Sequence, residues 1–391
     1  MKNKVFITGA GVVSAIGVGK EANWNSLSAN QSGIGEVRYL NTVHHEFPVG
    51  EVKMSNEEMK YQLGINAETI ISRAALLGIF AVKEAMDDAQ VEGLRLTLIS
   101  GTTVGGMDLT EEVYPDSLTA DIIDQHDCGG TTNAIADYFG CFDFTSTSST
   151  ACSSALNAII FGARMIQSGM RDIVVVGGTE SLTRFHLNGF KSLMILDEEN
   201  CRPFDAGRRG LNLGEGAGYL VLESEESLLR RGVKAIARLE GMGNACDAFH
   251  QTASSADGEG AYRAMCQALE EAELGAKEIQ YVNAHGTGTP NNDASESAAL
   301  RRVFGNDMPL VSSTKGLTGH TTSASGSIET VFSVMALQHQ TVPANYGWHQ
   351  CDENCISPLS VPSRAELHHV VCNSFGFGGN DSSIIIGVDG K

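Results

Sequence analysis

The sequence predicts an α/β protein built from two similar halves that share a buried interface. Three observations lead there. Short apolar strands alternate along the chain with segments of helical spacing. The order strand, glycine turn, helix, strand occurs once before about residue 240 and again after it. The composition, 42% hydrophobic and 19% charged over 391 residues, is that of a chain able to bury a large core.

Taken in order, Val5-Phe6-Ile7-Thr8 reads as a strand and Gly9-Ala10-Gly11 as a close turn after it. The run GAGVVSAIG does not give the dinucleotide-binding spacing G-x-G-x-x-G. From Arg73 to Gln90, Ala74, Leu76, Phe80, Ala81, Val82 and Ala85 fall mostly on one side of a helix. Leu94 to Ser100 is a strand. A helix follows Cys152 through Ile166 and ends at Gly169, and Asp172 to Gly178 is a buried-looking strand. The order then recurs: Tyr219 to Leu222 is apolar, Ala261 to Leu274 is helical, and Ile279 to Asn283 is a strand running into His285. Ile328 to Leu337 is a helix behind His320. His369 to Asn373 and Ser382 to Gly387 are the last strands, separated by Ser374-Phe375-Gly376-Phe377-Gly378-Gly379. A hinge near Glu240 to Asn244 divides the chain into residues 1–240 and 241–391. The repeat is one of pattern, not of residue identity.

The formal net charge of -20 argues against nonspecific binding to nucleic acid or an anionic membrane. It leaves room for a local basic patch, for which Lys60, Arg73, Arg208 and Arg209 are candidates. No stretch approaches the roughly 20 apolar residues of a membrane span, and the first residues lack the apolar run of a signal peptide. A cytoplasmic location is expected. The nine cysteines are scattered and read as free thiols. His349-Gln350-Cys351-Asp352-Glu353-Asn354-Cys355 is the one metal-like cluster; without a second cysteine pair nearby it reads as a loop with incidental thiols, and no metal is expected.

Three segments carry chemistry. Cys152 lies in Ser149-Thr150-Ala151-Cys152-Ser153-Ser154-Ala155, at the start of an apolar helix. Free amides and the helix dipole are expected there to lower its pKa. The Cys152 amide and a second amide from the turn near Phe377 could form an oxyanion hole. His285 lies in Asn283-Ala284-His285-Gly286-Thr287-Gly288-Thr289-Pro290, and His320 ends Lys315-Gly316-Leu317-Thr318-Gly319-His320. Lys315 could orient His320 or hold the site's charge through Glu329. One thiol and two imidazoles suit a two-part reaction. The thiolate holds an acyl group, and donors stabilise charge while a second carbonyl compound reacts.

These residues carry a resemblance over essentially the full length. TACSSA at Cys152, RPFD at Arg202 to Asp205 and GEGAGYLVLE from Gly214 to Glu223 are joined by NAHGTGTP, STKGLTGH and NSFGFGG. In this order and separation they resemble a β-ketoacyl-[acyl-carrier-protein] synthase of the type I/II condensing-enzyme group. The resemblance implies a thiolase-like fold of two duplicated α/β halves in αβαβα layers, usually dimeric. It also implies a reaction: Cys152 takes an acyl chain from the phosphopantetheine arm of acyl-carrier protein, and malonyl-carrier loses CO2 and attacks it. His285 and His320 then assist decarboxylation, and Lys315 organises the site with Glu329. Phe377 gates the acyl chain, Thr287 and Thr289 contact the pantetheine arm, and Thr252 sits in a loop that moves with the gate. No cofactor is implied.

The chain departs from the pattern in places. The stretch before the nucleophile lacks the common Gly-Pro, Asn292 replaces a glycine, and Leu211 stands where phenylalanine is common. These changes point to a reshaped acyl pocket, set partly by Leu211 and by a dimer partner reaching across near Val104 to Leu109. Fatty acid, polyketide and aryl-polyene products all remain open, as do a homodimer and a heterodimer with a chain-length-factor-like relative. Two alternatives are a thiolase, for which Cys372 is the late cysteine, and a non-condensing partner subunit, which retention of Cys152, His285 and His320 opposes.

Overall fold

The computed structural model describes residues 3–388. Its first strand, β1 (Val5–Ser14), runs straight through the glycines that were expected to turn, with every residue buried. The glycines serve packing instead. A methyl group on Gly9 would lie 2.2 Å from the Ala85 carbonyl oxygen, and one on Gly11 2.1 Å from that of Ala81. Both carbonyls belong to helix α1 (Arg73–Ala89), which lies across the strand. Glycine at a turn and glycine under a helix look alike in sequence.

Besides a two-residue strand, Gly17–Val18, that pairs with β1, the first half holds four more: β2 (Leu96–Gly101), β3 (Phe142–Ser148), β4 (Ile173–Glu180) and β5 (Gly216–Ser224). Their order in space is β3-β2-β4-β5-β1. β2 is parallel to β3 and β4, and β5 is antiparallel to β4 and β1. The second half holds β6 (Ala237–Cys246), β7 (Tyr281–Asn283), β8 (Leu310–Ser312), β9 (His369–Gly376) and β10 (Asn380–Gly387). These lie in the order β8-β7-β9-β10-β6. Here β7 is parallel to β8 and β9, and β10 is antiparallel to β9 and β6. Numbered within each half, both orders read third, second, fourth, fifth, first, with the same directions. The duplication is thus one of topology. β1 and β6 pair antiparallel from Val5 with Leu239 to Ile7 with Ala237 and join the halves into one sheet. The division expected at 240/241 falls inside β6; we propose it just before Ala237, which keeps that strand whole.

Five further helices matter: α2 (Ser154–Gln167), α3 (Arg184–Ser192), α4 (Glu259–Ala272), α5 (Pro290–Phe304) and α6 (Ser325–His339). α1 covers the outer face of the first half and α4 that of the second. α2 and α6 lie between them, each packing on strands of both halves. The layers are therefore αβαβα. α6 is buried on every side from Ser325 to Leu337, so it shows no apolar stripe.

Two of the expected surface cations are instead buried ion pairs. Arg73 meets Glu215 in a fork, Nε to Oε2 at 2.8 Å and Nη2 to Oε1 at 2.6 Å. Arg208, its side chain 6% exposed, bonds Asp352 at 2.5 Å and lies 3.6 Å from Asp293. Arg209 is exposed but paired with Asp197 and Glu199, and Lys60 donates to the Ala67 carbonyl. The four therefore do not form a free basic patch. The Arg208 contact also engages Asp352, the carboxylate of the His349–Cys355 loop. No described helix is long and apolar enough to cross a membrane.

Candidate active site

Cys152 sits in the turn between β3 and α2, held by the hydroxyls around it. The Thr150 amide donates to Ser154 Oγ at 2.9 Å, and Ser153 Oγ donates to the Thr150 carbonyl at 2.8 Å. Ala151 takes a positive φ of 52°, a left-handed conformation that costs a non-glycine residue roughly 1 kcal/mol. That bend turns the thiol inward. Ser374 Oγ donates to the Cys152 carbonyl at 2.9 Å, tying the turn to β9 of the other half.

His320 approaches from the second half, just before α6. Its Nε2 lies 3.1 Å from Cys152 Sγ, and its Nδ1 lies 3.0 Å from Ser325 Oγ. His285 follows β7. Its amide and that of Gly286 donate to the two oxygens of Glu296, at 2.9 and 2.8 Å. The amides of Thr287 and Gly288 donate to Asp293 Oδ1 at 3.0 and 3.2 Å. Two buried carboxylates on α5 thus fix the glycine-rich loop. Gly286 is required there, since a Cβ would lie 2.6 Å from the Ser313 side chain. The His285 and His320 rings meet edge to face at 5.3 Å, and Phe375 packs on His285 at 5.7 Å.

Behind the histidines Lys315 Nζ pairs with Glu329 Oε1 at 2.5 Å, with side-chain exposures of 1% and 3%. Burial pushes Glu329 up to about 7 despite the attraction of Lys315. Burial, and then the Lys315 charge, hold both histidines well below the usual imidazole range. Both rings are therefore neutral. The thiol does not behave as expected from the helix terminus alone. Burial pushes Cys152 up to about 11, outweighing the lowering effects of Lys315 and of the Phe377 and Cys152 amides. Those two amides are the pair expected for an oxyanion hole.

Cys152, His285, His320, Leu211, Thr252, Thr287, Thr289 and Phe377 line one cavity of about 340 Å³. Lys315 and Glu329 lie outside its wall. Thr287 and Thr289 share a hydroxyl contact at 2.9 Å, Thr252 is exposed at the mouth, and Leu211 is buried in the wall. Residues 104–109 do not line the cavity of their own chain. Phe377 is half-buried and stacks on Phe190 of α3, with ring centroids 5.8 Å apart and planes 18° from parallel.

Models of two families match the chain: "Beta-ketoacyl synthase, N-terminal domain" over residues 2–227 and "Beta-ketoacyl synthase, C-terminal domain" over 236–349. The chain belongs to the β-ketoacyl synthase family. It is similar to 3-oxoacyl-[acyl-carrier-protein] synthase 2 of Vibrio harveyi, at 32% identity over 98% of each chain. Among solved structures, one described as the ishigamide ketosynthase/chain length factor superposes with a TM-score of 0.91 at 31% identity, covering 100% of both chains. The ketosynthase ApeO, solved in complex with its chain length factor ApeC from Xenorhabdus doucetiae, gives 0.86 at 30%, covering 99% of this chain and 98% of that one.

As a β-ketoacyl synthase the chain is a condensing enzyme with the thiolase-like fold. Cys372, the residue that kept a thiolase in view, is buried in β9 away from the cavity, with its thiol pushed up to about 12 by burial. The sequence reading missed Asp293 and Glu296. The signal was present as two acids three residues apart on a helix that opens at Pro290, a spacing that puts both on one face. It also missed Phe190 and Ser325, which no motif marks, and Phe375, which lies inside NSFGFGG but was given no role. The buried thiol of this synthase predicts a test. Alkylation of Cys152 by iodoacetamide in the free enzyme should keep rising, by about tenfold per pH unit, through pH 9. A plateau below pH 8 would contradict the burial account.

Proposed function

We propose that the chain catalyses decarboxylative Claisen condensation of an acyl group held on Cys152 with malonyl-[acyl-carrier-protein]. The observation that carries this reading is the 3.1 Å contact between the Cys152 thiol and His320 Nε2, with the neutral His285 ring beside it on the same cavity. The relatives named 3-oxoacyl-[acyl-carrier-protein] synthase 2 support carrier-bound substrates.

In the first half-reaction the Cys152 sulfur attacks the thioester carbonyl of acyl-carrier. The Cys152 and Phe377 amides stabilise the oxyanion. The carrier thiol leaves with the proton that Cys152 gives up through His320. In the second, malonyl-carrier loses CO2, and its electron pair passes to C2 and the thioester oxygen as an enolate. His285 acts as an N–H donor to that oxygen, and His320 joins it once its single proton has moved from Nδ1, beside Ser325, to Nε2 on the cavity side. Because they are neutral they do not protonate the carbanion before it attacks. C2 then bonds to the acyl carbonyl carbon, the bond to Cys152 Sγ breaks, and the thiolate takes up one proton from solvent. The products are 3-oxoacyl-carrier, CO2 and free enzyme. Burial, and then the charge of Lys315 paired with Glu329, keeps both rings neutral. Phe377 leaves its stack on Phe190 to admit the acyl chain, and Thr287, Thr289 and Thr252 line the arm's entrance. A cytoplasmic location stays part of this reading.

The geometry refines one expectation. The two histidines were expected to serve decarboxylation alike, but only His320 touches the thiol. Intact-protein mass after treatment with acyl-carrier should rise by one acyl group, and Cys152→Ala should abolish the rise. His285→Ala should load normally yet lose about 10²-fold in CO2 release from malonyl-carrier. His320→Ala should lose both. Acylation mapped to another cysteine, or normal CO2 release from His285→Ala, overturns the assignment.

A second reading concerns the partner. Two similar structures are described with a chain length factor, and Leu211 is buried in the cavity wall. In this reading the chain pairs with a non-identical relative that closes the acyl pocket near residues 104–109 and elongates stiff, unsaturated primers. Competition between saturated and polyunsaturated acyl-carriers of equal length decides it. A tenfold preference for the saturated primer, about 1.4 kcal/mol, would remove the specialised reading and leave a fatty acid synthase component.

A further inference from the structure

The mechanism gives no part to one fully buried acid. Glu180 ends β4 with none of its surface exposed. Among the described residues no lysine or arginine pairs with it, and every hydrogen-bond partner is a hydroxyl or a backbone amide. In the loop after β2, Thr102 Oγ1 donates to Oε1 and the Thr103 amide to Oε2, each at 2.8 Å. The Thr103 hydroxyl also donates to Oε2, and the Val104 amide reaches Oε1 at 3.4 Å. The fifth donor crosses from the other half of the chain: Ser323 Oγ donates to Oε2.

Ser323 stands three residues after His320, in the short turn Thr322–Ala324 that leads into α6. By itself that turn is unfavourable. Thr322 is β-branched yet takes a left-handed φ of 43°, and among the described residues its buried hydroxyl has no partner. Such a conformation persists only where its surroundings hold it. The backbone of His320 is held on one side, its amide by the Asn212 carbonyl at 2.7 Å and its carbonyl by the Gly214 amide at 2.9 Å. On the other side the turn is held by Glu180, through a hydroxyl-to-carboxylate bond stronger than one between neutral groups. The residue after the turn, Ser325, carries the hydroxyl 3.0 Å from His320 Nδ1. The shape of the turn therefore sets the angle at which the ring meets Cys152. The charge of Glu180 does not serve the thiol: burial raises the Cys152 pKa, and Glu180 adds to the rise. Its value to the site lies in position.

We propose that Glu180 is a positioning residue of the active site: through Ser323 it holds the Thr322 turn, and so holds the His320 ring against the Cys152 thiol. It acts across the two halves and touches no reacting atom. The consequence for acyl transfer rests on the role given to His320 above; the positioning does not.

Ring-nitrogen NMR of His320 reads the position of the ring and rests on no functional assignment. Ser323→Ala removes the one donor that comes from the second half, and should shift the His320 signals. Thr103→Ala removes a hydroxyl from the same carboxylate oxygen on the opposite side, and should leave them in place. Unmoved signals in Ser323→Ala, or equal shifts in both variants, overturn the proposal. Acyl loading of Cys152 reads the consequence. Ser323→Ala should slow it by about tenfold, and by the same factor in a His285→Ala background. Added to His320→Ala it should cost less than about twofold, because the group it positions is gone. Glu180→Gln, which keeps the shape of the side chain, should follow the same pattern. A loss of equal size on top of His320→Ala would mean a general weakening of the fold and overturn the proposal. Loading by His320→Ala alone at the wild-type rate would instead overturn the role of His320, and leave its positioning by Glu180 to stand on the ring signals.

Discussion

Everything at this site depends on how closely α2 and α6 approach each other between the two halves. Gly326, in the first turn of α6, allows it: a Cβ there would lie 2.8 Å from Leu156 Cβ on α2. The two helix starts then stand side by side, and a thiol from one half meets an imidazole from the other at 3.1 Å. Neither half holds the site alone. The duplicated topology places an equivalent helix in each half, so the meeting point falls near the axis relating them. The chain has put different chemistry on the two copies: the nucleophile on one, the donors on the other.

That meeting point is dry, and dryness sets the protonation states. Burial works against every charge, so the thiol stays protonated at rest and both imidazoles stay neutral. Lys315 acts in the same direction on the histidines and in the opposite one on the thiol. Its partner Glu329 is drawn up to about 7 by the same desolvation. A reaction that makes a carbanion by losing CO2 needs donors that do not quench it, and buried neutral imidazoles meet that need. A helix terminus by itself would predict a thiolate. The magnitude of burial reverses that here.

Much of this was legible in the sequence because the relevant positions carry rare combinations. Cys152, His285, His320 and Lys315 each sit in a run of glycines or hydroxyl residues that no ordinary core segment contains. The alternation of strand and helix gave the halves, although not the boundary, since β6 runs across 240/241. What stayed hidden was hidden for physical reasons. Gly9 and Gly11 read as a turn because sequence does not say whether a missing Cβ makes room for a bend or for a helix above it. β3 went unread because its residues, Phe142 to Ser148, are mostly polar and partly exposed at the edge of the sheet. Arg73 and Arg208 looked like surface cations because their carboxylates, Glu215 and Asp352, are over a hundred residues away in sequence.

The central claim is that burial keeps both active-site imidazoles neutral, so that they serve as donors and not as acids. Nitrogen NMR of the His285 and His320 rings, followed from pH 8 down to pH 5 in the folded enzyme, tests it most directly. The account predicts that neither ring gains a proton over that range. Protonation of either ring with a midpoint near 6.5, the value of an exposed histidine, would contradict it.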